Sequence, residues 1–406
     1  MNQLITIHIG GAGSNIGSKL WYNLSQHRQE DLSSIFQENS HQSYKPRSIF
    51  VNTIDDQVPK YHEPQFSSNQ FFYTKEETGN IYTVGHYCVA KDLIPKIEDE
   101  IRRQVENCDR FSGFLFTHSI SGGFGSGYTT LLSSLLKTQY QKSISFSFCL
   151  MPSPNYSNNV IESYNSIMSL NSMVEAFDGV ILLQNEAIYQ IIENQLDIEF
   201  PSYNEVNQVI THPIMSLLKF NQQQSLQMLK LNLWNNNKLN IWSCSFGPLI
   251  NYDQKRISKK ITLNSLKDII SQNSYICNKK KPNYKQAFLY AEQINQTVLS
   301  KTLSELVENK QYSIYQSGQE EGQIKQCKEQ FQQINTQKEN MVFINKSTGV
   351  AEQLNQLHKN AQILYQKRAF MHWYVGIGIE DQSIRWEFSS FEEMQNNYAN
   401  DVSNNE

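Results

Sequence analysis

The sequence predicts an α/β protein with a doubly wound parallel sheet in its N-terminal part, a long central helix, a mixed α+β region and a helical C-terminus. Three observations predict this order. Apolar segments of strand length alternate with helical segments over the first half, two of these strands end in glycine-rich turns that open helices, and a helical pattern spans residues 201–220. Strands that alternate with helices are typical of a parallel sheet covered on both faces.

The first predicted domain covers residues 1–184. Its predicted strands are short apolar runs, at 4–9, 47–51, 113–118, 145–151 and 179–183. Apolar residues recur with helical spacing at 128–136 and 160–177, between the later strands. These helices fit the crossover connections that parallel strands need.

The rest of the chain divides into two further regions, 185–348 and 349–406. After the long helix, strand-like segments follow at 239–250, 285–294, 312–316 and 341–345. The last region has helical periodicity at 349–366 and 383–399. This order predicts an α+β intermediate domain and a C-terminal helical hairpin.

Composition argues against several functions. The chain has 406 residues, enough for about two or three domains, and its 35 Lys plus Arg and 39 Asp plus Glu give a net charge of −4. Without a basic excess, nucleic acid is not an expected partner. The six cysteines include no C-x-x-C pair, and no apolar run approaches the roughly 18 residues that span a membrane. We therefore expect a cytoplasmic protein with reduced thiols and no membrane partner.

Two glycine-rich turns form the candidate ligand site. The first spans residues 10–17 and the second residues 119–127, and each follows a predicted strand and opens a helix. Glycine lets the backbone approach a phosphate, and N–H groups at a helix start direct partial positive charge at it. Either turn alone is equally consistent with a purely structural turn. Two of them at strand-to-helix junctions of one domain favour a phosphate ligand.

The first turn differs from two known phosphate-binding motifs. In the dinucleotide motif G-x-G-x-x-G, counted from Gly11, Ile16 stands in place of the last glycine. The P-loop lysine is absent, since Ser18 follows the turn. A Rossmann-like oxidoreductase is thus a remote alternative. Asn52 after the next strand also differs from the acidic residue that holds the ribose in such enzymes.

The second turn resembles a family signature. Its residues Gly-Gly-Phe-Gly-Ser-Gly at 122–127, together with the preceding Ser121, resemble the seven-residue tubulin signature G-G-G-T-G-S-G. Ser121 replaces the first glycine of the signature and Phe124 replaces its threonine. Further matches to tubulins occur in the family's order, at 85–87, 152–154, 162–165, 185–189 and 367–374. They extend over nearly the whole chain. Segments 185–189, 196–199 and 367–370 are more similar to the α subunit, so the chain resembles a divergent, α-like tubulin.

The resemblance implies a GTP or GDP site and assigns residues to it. The phosphates would lie at Gly10, Gly11, Ala12, Ser119, Gly122, Gly123, Phe124, Gly125 and Ser126. The ribose would lie at Asn158 and Glu162, and guanine at Asn15, Asn185, Tyr203 and Asn207.

The base-binding residues suit their implied role, whereas the phosphate end departs from the family. An amide offers a donor and an acceptor to a base edge, and a tyrosine ring offers a stacking face. Taken singly, each Asn reads as a turn or cap residue and Tyr203 as a core aromatic, but their joint match favours base recognition. Gly11 replaces the family's glutamine, and Phe124 replaces a hydroxyl expected to face phosphate.

Magnesium binding is left open by the sequence. Asn52 and Ile54 replace two carboxylates that the family places near the metal, which prefers hard oxygen ligands. Asp55 or Asp56 restores one acid if the register slips, and Glu77 is the candidate metal residue on the next phosphate-side loop.

The hydrolytic residue of the family is replaced. In α-tubulin a glutamate on the loop after the central helix activates water at the nucleotide of the neighbouring subunit. The matching residue here is Met228, whose thioether neither orients nor deprotonates water. No Asp or Glu occurs between Glu205 and Asp253, so a shifted alignment does not restore an acid.

The resemblance thus predicts a GTP-binding structural subunit of microtubules that stacks head to tail with a β-type partner. Its nucleotide would be an interface cofactor, and its own contribution to hydrolysis would be weak or absent. The expected location is the cytoplasmic cytoskeleton, including a specialised array such as a cilium. The alternative is an active GTPase that drives dynamic microtubules, with a partner completing the site.

Overall fold

A ten-stranded β-sheet organises the chain. The computed structural model describes residues 2–26, 34–38, 44–53, 66–153, 159–233, 240–249, 263–277, 282–292, 294, 296–317 and 340–403. The strands are β1 (Gln3–Ile9), β2 (Phe36–Glu38), β3 (Tyr44–Pro46), β4 (Ser48–Asn52), β5 (Phe71–Tyr73), β6 (Phe111–Ser119), β7 (Ile144–Met151), β8 (Gly179–Gln184), β9 (Ile241–Gly247), β10 (Tyr284–Glu292), β11 (Val307–Ser317) and β12 (Asn340–Ser347). The helices are α1 (Gly10–Gln26), α2 (Ala90–Glu106), α3 (Gly123–Gln139), α4 (Glu162–Ala176), α5 (Asn185–Leu196), α6 (Tyr203–Gln223), α7 (Leu226–Leu233), α8 (Leu263–Gln272), α9 (Gln296–Leu306), α10 (Thr348–Gln366), α11 (Met371–Val375) and α12 (Asp381–Ser403).

The sheet is parallel in its N-terminal part and mixed beyond it. Strands β5, β4, β1, β6, β7, β8 and β9 lie in that order and run parallel. Strand β12 pairs antiparallel with β9 and β10, and β11 pairs parallel with β10 at the edge. The predicted α/β class is confirmed. The two predicted sheet regions are joined, because Val180 of β8 pairs with Ile241 of β9. The domain limits at 184 and 348 stay predictions.

Helices cover both faces of the parallel part. Ile5 and Ile7 of β1 belong to an apolar cluster shared with α2, α3, α4, α10 and α12, whereas Leu4 belongs to one shared with α1, α5, α6 and α7. Successive side chains of a strand point to opposite faces. The alternation along β1 therefore shows a doubly wound sheet.

The order of strands reverses at β1. This strand lies between β4, the next parallel strand of this sheet in the chain, and β6, which comes later. In open α/β sheets, ligands bind at the carboxyl ends of the strands where the order reverses. The crevice between the ends of β1 and β6 is thus the expected site, and both glycine-rich turns lie there.

The long central helix α6 connects the two ends of the molecule. Asn221, near its C-terminal end, exchanges hydrogen bonds with Asn2 just before β1, at 3.3 and 3.0 Å. Helix α6 has 21 residues, so its first turn lies roughly 30 Å away from this contact. Helix α7 starts beside Asn221, whose Oδ1 accepts from the Leu226 N–H at 3.3 Å. The first turn of α6 and the helix α7 therefore lie at opposite ends of the molecule.

The C-terminal helices form the predicted hairpin. Helices α10 and α12 pack on each other and on α4. The Tyr164 hydroxyl donates to the carbonyl of Ala369 at 3.1 Å, and the Asn171 amide donates to the Glu387 carboxylate at 2.6 Å. Burial raises the pKa of Glu387.

Among the helices in the described part of the chain, none has the length and apolar character needed to cross a membrane.

Candidate nucleotide site

The two glycine-rich turns meet at the switch-point crevice. Helix α1 begins at Gly10 directly after β1, and α3 begins at Gly123 shortly after β6. Gly10 has φ +73°, and a Cβ added there would lie 3.2 Å from the Cα of Gly125. Only glycine satisfies both the left-handed backbone and this close approach. The packing brings two helix N-termini to one crevice.

The first turn of α3 begins beside open space. Gly122 caps the helix in an extended conformation, and a Cβ added to it would meet no atom within 4 Å. By contrast, a Cβ on Gly123 would lie 2.4 Å from the Ile81 amide nitrogen. Helix geometry leaves the N–H groups of Gly123, Phe124 and Gly125 without intrahelical acceptors. The turn therefore combines three backbone amides without intrahelical acceptors and open space beside Gly122.

The side chains of this turn contribute less than its backbone. Phe124 is buried and stacks on Tyr128, with ring centroids 5.1 Å apart. The Ser126 hydroxyl donates to the carbonyl of Gly122 within the helix. Any contact of Phe124 with phosphate would come from its N–H group, not from its ring.

A buried asparagine, for which the sequence predicts no role, shapes the same turn. The Asn165 amide donates to the carbonyls of Ser121, at 2.8 Å, and Asn80, at 2.7 Å. Its Oδ1 accepts from the Tyr82 N–H at 3.0 Å and from the Tyr374 hydroxyl at 2.8 Å. Asn165 thus joins both phosphate-side loops to the C-terminal helices. The sequence signal was its place in the family match at 162–165.

A buried hydrogen-bond chain fixes α1 against the sheet. Trp21 donates from Nε1 to Nε2 of His8 at 3.1 Å, so His8 donates from Nδ1 to the Thr117 hydroxyl at 2.7 Å. The Thr117 hydroxyl donates to the carbonyl of Gly13 at 3.2 Å. Burial lowers the pKa of His8 to about 3, so the ring is neutral at physiological pH. The neutral imidazole relays a contact from β1 and β6 to the first turns of α1.

The predicted guanine-binding residues occupy three helix starts. Asn15 is exposed near the start of α1, Asn185 is the first residue of α5, and Tyr203 is the first residue of α6. Tyr203 is 73% exposed, and Asn207 is half-buried one turn later. Further along both helices, α1 and α6 are joined by a hydrogen bond that the Asn23 amide donates to the Thr211 hydroxyl at 2.9 Å.

Asn185 has an unsatisfied acceptor. Its Oδ1 is buried and has no hydrogen-bond donor within the described residues. Buried polar atoms in native proteins nearly always have partners. A guanine base offers N–H donors at its N1 and 2-amino positions, and the Tyr203 ring leaves a face for stacking. These residues fit a guanine nucleotide.

The predicted ribose and metal residues are only partly covered by the described residues. Glu162 is half-buried at the start of α4, at the carboxyl edge of the sheet, while Asn158, Ile54, Asp55 and Asp56 lie outside the described residues. Glu77 is exposed. The described side chains include no group of three or more His, Cys, Asp or Glu placed to hold a metal ion. Glu77 as a metal residue stays a prediction.

Met228 lies on the exposed face of α7. Its side chain is 38% exposed, and that of Leu231, one turn on, is 64% exposed. Since α7 is at the far end of α6, Met228 lies far from the crevice of its own chain.

The crevice, the helix starts and the long connecting helix define a nucleotide-binding protein of the doubly wound class. Residues 3–193 match the family described as Tubulin/FtsZ family, GTPase domain. The tubulin alpha chain of Dictyostelium discoideum is 30% identical, in an alignment that covers 93% of this chain and 92% of that protein. The tubulin alpha-2B chain of Physarum polycephalum is 28% identical, with 94% and 92% covered, and the tubulin alpha-3 chain of Saccharomyces cerevisiae is 28% identical, with 94% of each covered.

The chain belongs to the tubulin family, as a divergent α-tubulin-like member. The family prediction made from the motifs is confirmed.

Proposed function

We propose that this chain is a structural subunit of microtubules in the cytoplasmic cytoskeleton, that it binds GTP or GDP, and that it stacks head to tail with a β-tubulin-like partner. The observation that carries the proposal is the buried, unsatisfied Oδ1 of Asn185 at the edge of the sheet where the crevice lies. Guanine supplies the donors that this oxygen lacks. The match to the GTPase domain supports the choice of nucleotide, and the α-tubulin relatives support the assembly.

In this proposal the base lies between α1, α5 and α6. Asn185 accepts from the Watson–Crick edge of guanine, Asn15 and Asn207 supply further amide groups, and the ring of Tyr203 stacks on the base. The exposure of Tyr203, 73%, supports this assignment, because covering its face with a base removes apolar surface from water.

The phosphates lie on the backbone of the first turns of α1 and α3. Gly122 leaves room for them, and the N–H groups of residues 123–125 donate to their oxygens. Bound GTP supplies the phosphoanhydride bond. The protein's part is to hold the phosphates between two helix N-termini, whose partial positive charges favour anions.

The positions of the two ends of α6 support the proposed assembly. The crevice lies near its first turn and α7 lies beyond its last. Head-to-tail stacking then places α7 of one subunit over the nucleotide of the next. Such contacts join different surfaces on each copy, and they generate filaments when the rotation does not close a ring.

The contribution of this chain to hydrolysis is proposed to be weak or absent. Met228 would face the neighbouring nucleotide, and a thioether provides no general base. The stretch between Glu205 and Asp253 has no acidic residue to replace it. Nucleotide then acts mainly as an interface cofactor on the side that α7 covers.

The test is to identify the nucleotide that accompanies the chain. The chain is co-expressed with a β-tubulin, purified without added nucleotide and denatured with acid, and the released nucleotide is identified by liquid chromatography with mass spectrometry. We expect GTP or GDP close to one per chain in excess of the partner's own. An adenine nucleotide, a nicotinamide dinucleotide or no excess would overturn the proposal. Co-sedimentation with polymerised tubulin tests the assembly.

A further inference from the structure

Three residues behind the base-binding edge form a closed ring of hydrogen bonds. Gln184, the last residue of β8, donates from Nε2 to Oε1 of Gln353 at 2.7 Å. Gln353, on α10, donates from Nε2 to the carbonyl of Cys277 at 2.7 Å. The Cys277 N–H closes the ring by donating to Oε1 of Gln184 at 2.8 Å. Both amide groups are therefore used as donors and as acceptors.

The ring is buried and joins three separate parts of the chain. Gln184 is 2% exposed and Gln353 is 7% exposed. Gln184 ends a central strand, Cys277 follows α8, and Gln353 lies in the C-terminal hairpin. Since a buried amide that loses its partner is costly, the three parts are held in one arrangement.

The ring lies directly before Asn185. The backbone of Gln184 is held as well, because its N–H donates to the carbonyl of Tyr275 at 2.8 Å. On the other side, the Glu186 N–H lies 3.4 Å from the Ser153 hydroxyl, which accepts from it. The residue with the unsatisfied oxygen is thus fixed on both sides. The same two glutamines line a cavity of about 350 Å³ that extends to Glu162, the predicted ribose residue.

We propose that Gln353 is a positioning residue for guanine: through Gln184 it holds Asn185 with its Oδ1 directed at the base. This inference rests on the proposed function, since it needs Asn185 to bind guanine. It makes the C-terminal hairpin part of the nucleotide site, although Gln353 itself does not contact the base. Displacing α10 then changes nucleotide affinity.

A double-mutant cycle tests the inference in the full chain with its partner. Gln353→Met keeps the volume of the side chain but removes both amide hydrogen bonds. Asn185→Ala removes the acceptor. We expect each single variant to bind GTP about two- to tenfold more weakly. We expect the double variant to bind GTP as weakly as Asn185→Ala alone, because Gln353 acts through Asn185. Dissociation of a fluorescent GTP analogue is the measurement.

A matched control separates positioning from a general effect on the hairpin. Gln356 lies one turn further along α10 and lines the same cavity, so Gln356→Met makes the same change of side chain outside the ring. We expect it to leave GTP affinity unchanged. If Gln353→Met does not fold, Gln353→Ala, which leaves space for a water, takes its place.

The outcomes distinguish the two proposals. If Asn185→Ala leaves GTP affinity unchanged, the assignment of Asn185 to guanine fails, and the proposed function loses the observation that carries it. If Asn185→Ala weakens binding but Gln353→Met does not, only the positioning role is refuted. Multiplicative effects in the double variant, or an equal loss in Gln356→Met, would also refute that role and leave Gln353 as a structural residue.

Discussion

Replacing Met228 by glutamate is expected to restore hydrolysis at the neighbouring subunit. The side chain is 38% exposed on the outer face of α7, so a carboxylate placed there reaches solvent without entering the core. A glutamate has nearly the length of methionine, and it adds the oxygen acceptors that a general base needs. Met228→Glu therefore changes the chemistry of this face and leaves its packing nearly unchanged.

The magnitude and the direction of the effect follow from the geometry. A positioned general base contributes about 10²–10⁴-fold to a rate, and we expect about the lower value, because the turn before α7 is not otherwise altered. Helix α6 separates Met228 from the base-binding turn of its own chain by roughly 30 Å, given its 21 residues. The increase should therefore appear at the partner's nucleotide, and the turnover of this chain's own nucleotide should be unchanged.

The assay measures phosphate release from filaments assembled with a β-tubulin partner loaded with labelled GTP. Leu231→Glu is the matched control, since it adds the same charge one turn away on the same helix, where the side chain is 64% exposed. We expect no acceleration from this control. The reasoning is refuted if the natural chain already supports release at the rate of filaments made with an ordinary α-subunit, or if Leu231→Glu accelerates release as much as Met228→Glu.

Three further predictions concern the base, the fold and its pH dependence. Asn185→Ala combined with Asn207→Ala should weaken GTP binding by about 1–3 kcal/mol in total, measured by equilibrium titration, and unchanged affinity would remove both from the base site. The Asp178 side chain is 1% exposed and accepts from Lys230 Nζ of α7 at 2.7 Å and from Lys137 Nζ at 3.1 Å. Asp178→Asn should therefore lower the free energy of unfolding by about 2–3 kcal/mol in urea titrations, and a loss below about 0.5 kcal/mol would show that these ion pairs are dispensable. The pKa of His8 falls from 6.5 in the unfolded chain to about 3 in the fold, so the stability that its neutral ring contributes is complete above pH 6.5 and is lost as the pH falls toward 3. Between pH 7 and pH 5 we expect the free energy of unfolding to fall by roughly 2 kcal/mol because of His8. His8→Gln should remove this pH dependence, and an equal pH slope in that variant would assign the effect to another group.

The sequence predicted the fold where the signal was local. A strand, a glycine-rich turn and a helix follow each other directly at residues 4–21 and again at 113–136, so both ends of the crevice were recognisable from spacing. The sequence did not predict that the two sheet regions form one sheet, because this depends on the pairing of Val180 with Ile241, 61 positions later in the chain. No turn between adjacent strands encodes such a contact.

The candidate site was predicted by residue type but not by orientation. The sequence identified Phe124 as a departure from the family. Only the structure shows that its ring packs on Tyr128, so that the backbone of this turn and not the ring is available to a ligand. Asn165 had no predicted role, since its four hydrogen-bond partners come from distant parts of the chain. Gln353 was likewise invisible, because its partners Gln184 and Cys277 are distant in sequence. Side chains that act by joining distant elements have no local pattern.

In the proposed filament, the nucleotide and the group that acts on it belong to different subunits. The two ends of α6 enforce this division, because one end carries Tyr203 and the other leads into α7 with Met228. The loss of a carboxylate from α7 therefore affects the partner's nucleotide, whereas the nucleotide of this chain depends on what the partner presents. In such a filament we expect GTP to be kept at every interface that Met228 covers. We therefore expect this departure from the family to act on the partner's nucleotide, and it is compatible with an intact nucleotide site in the chain itself.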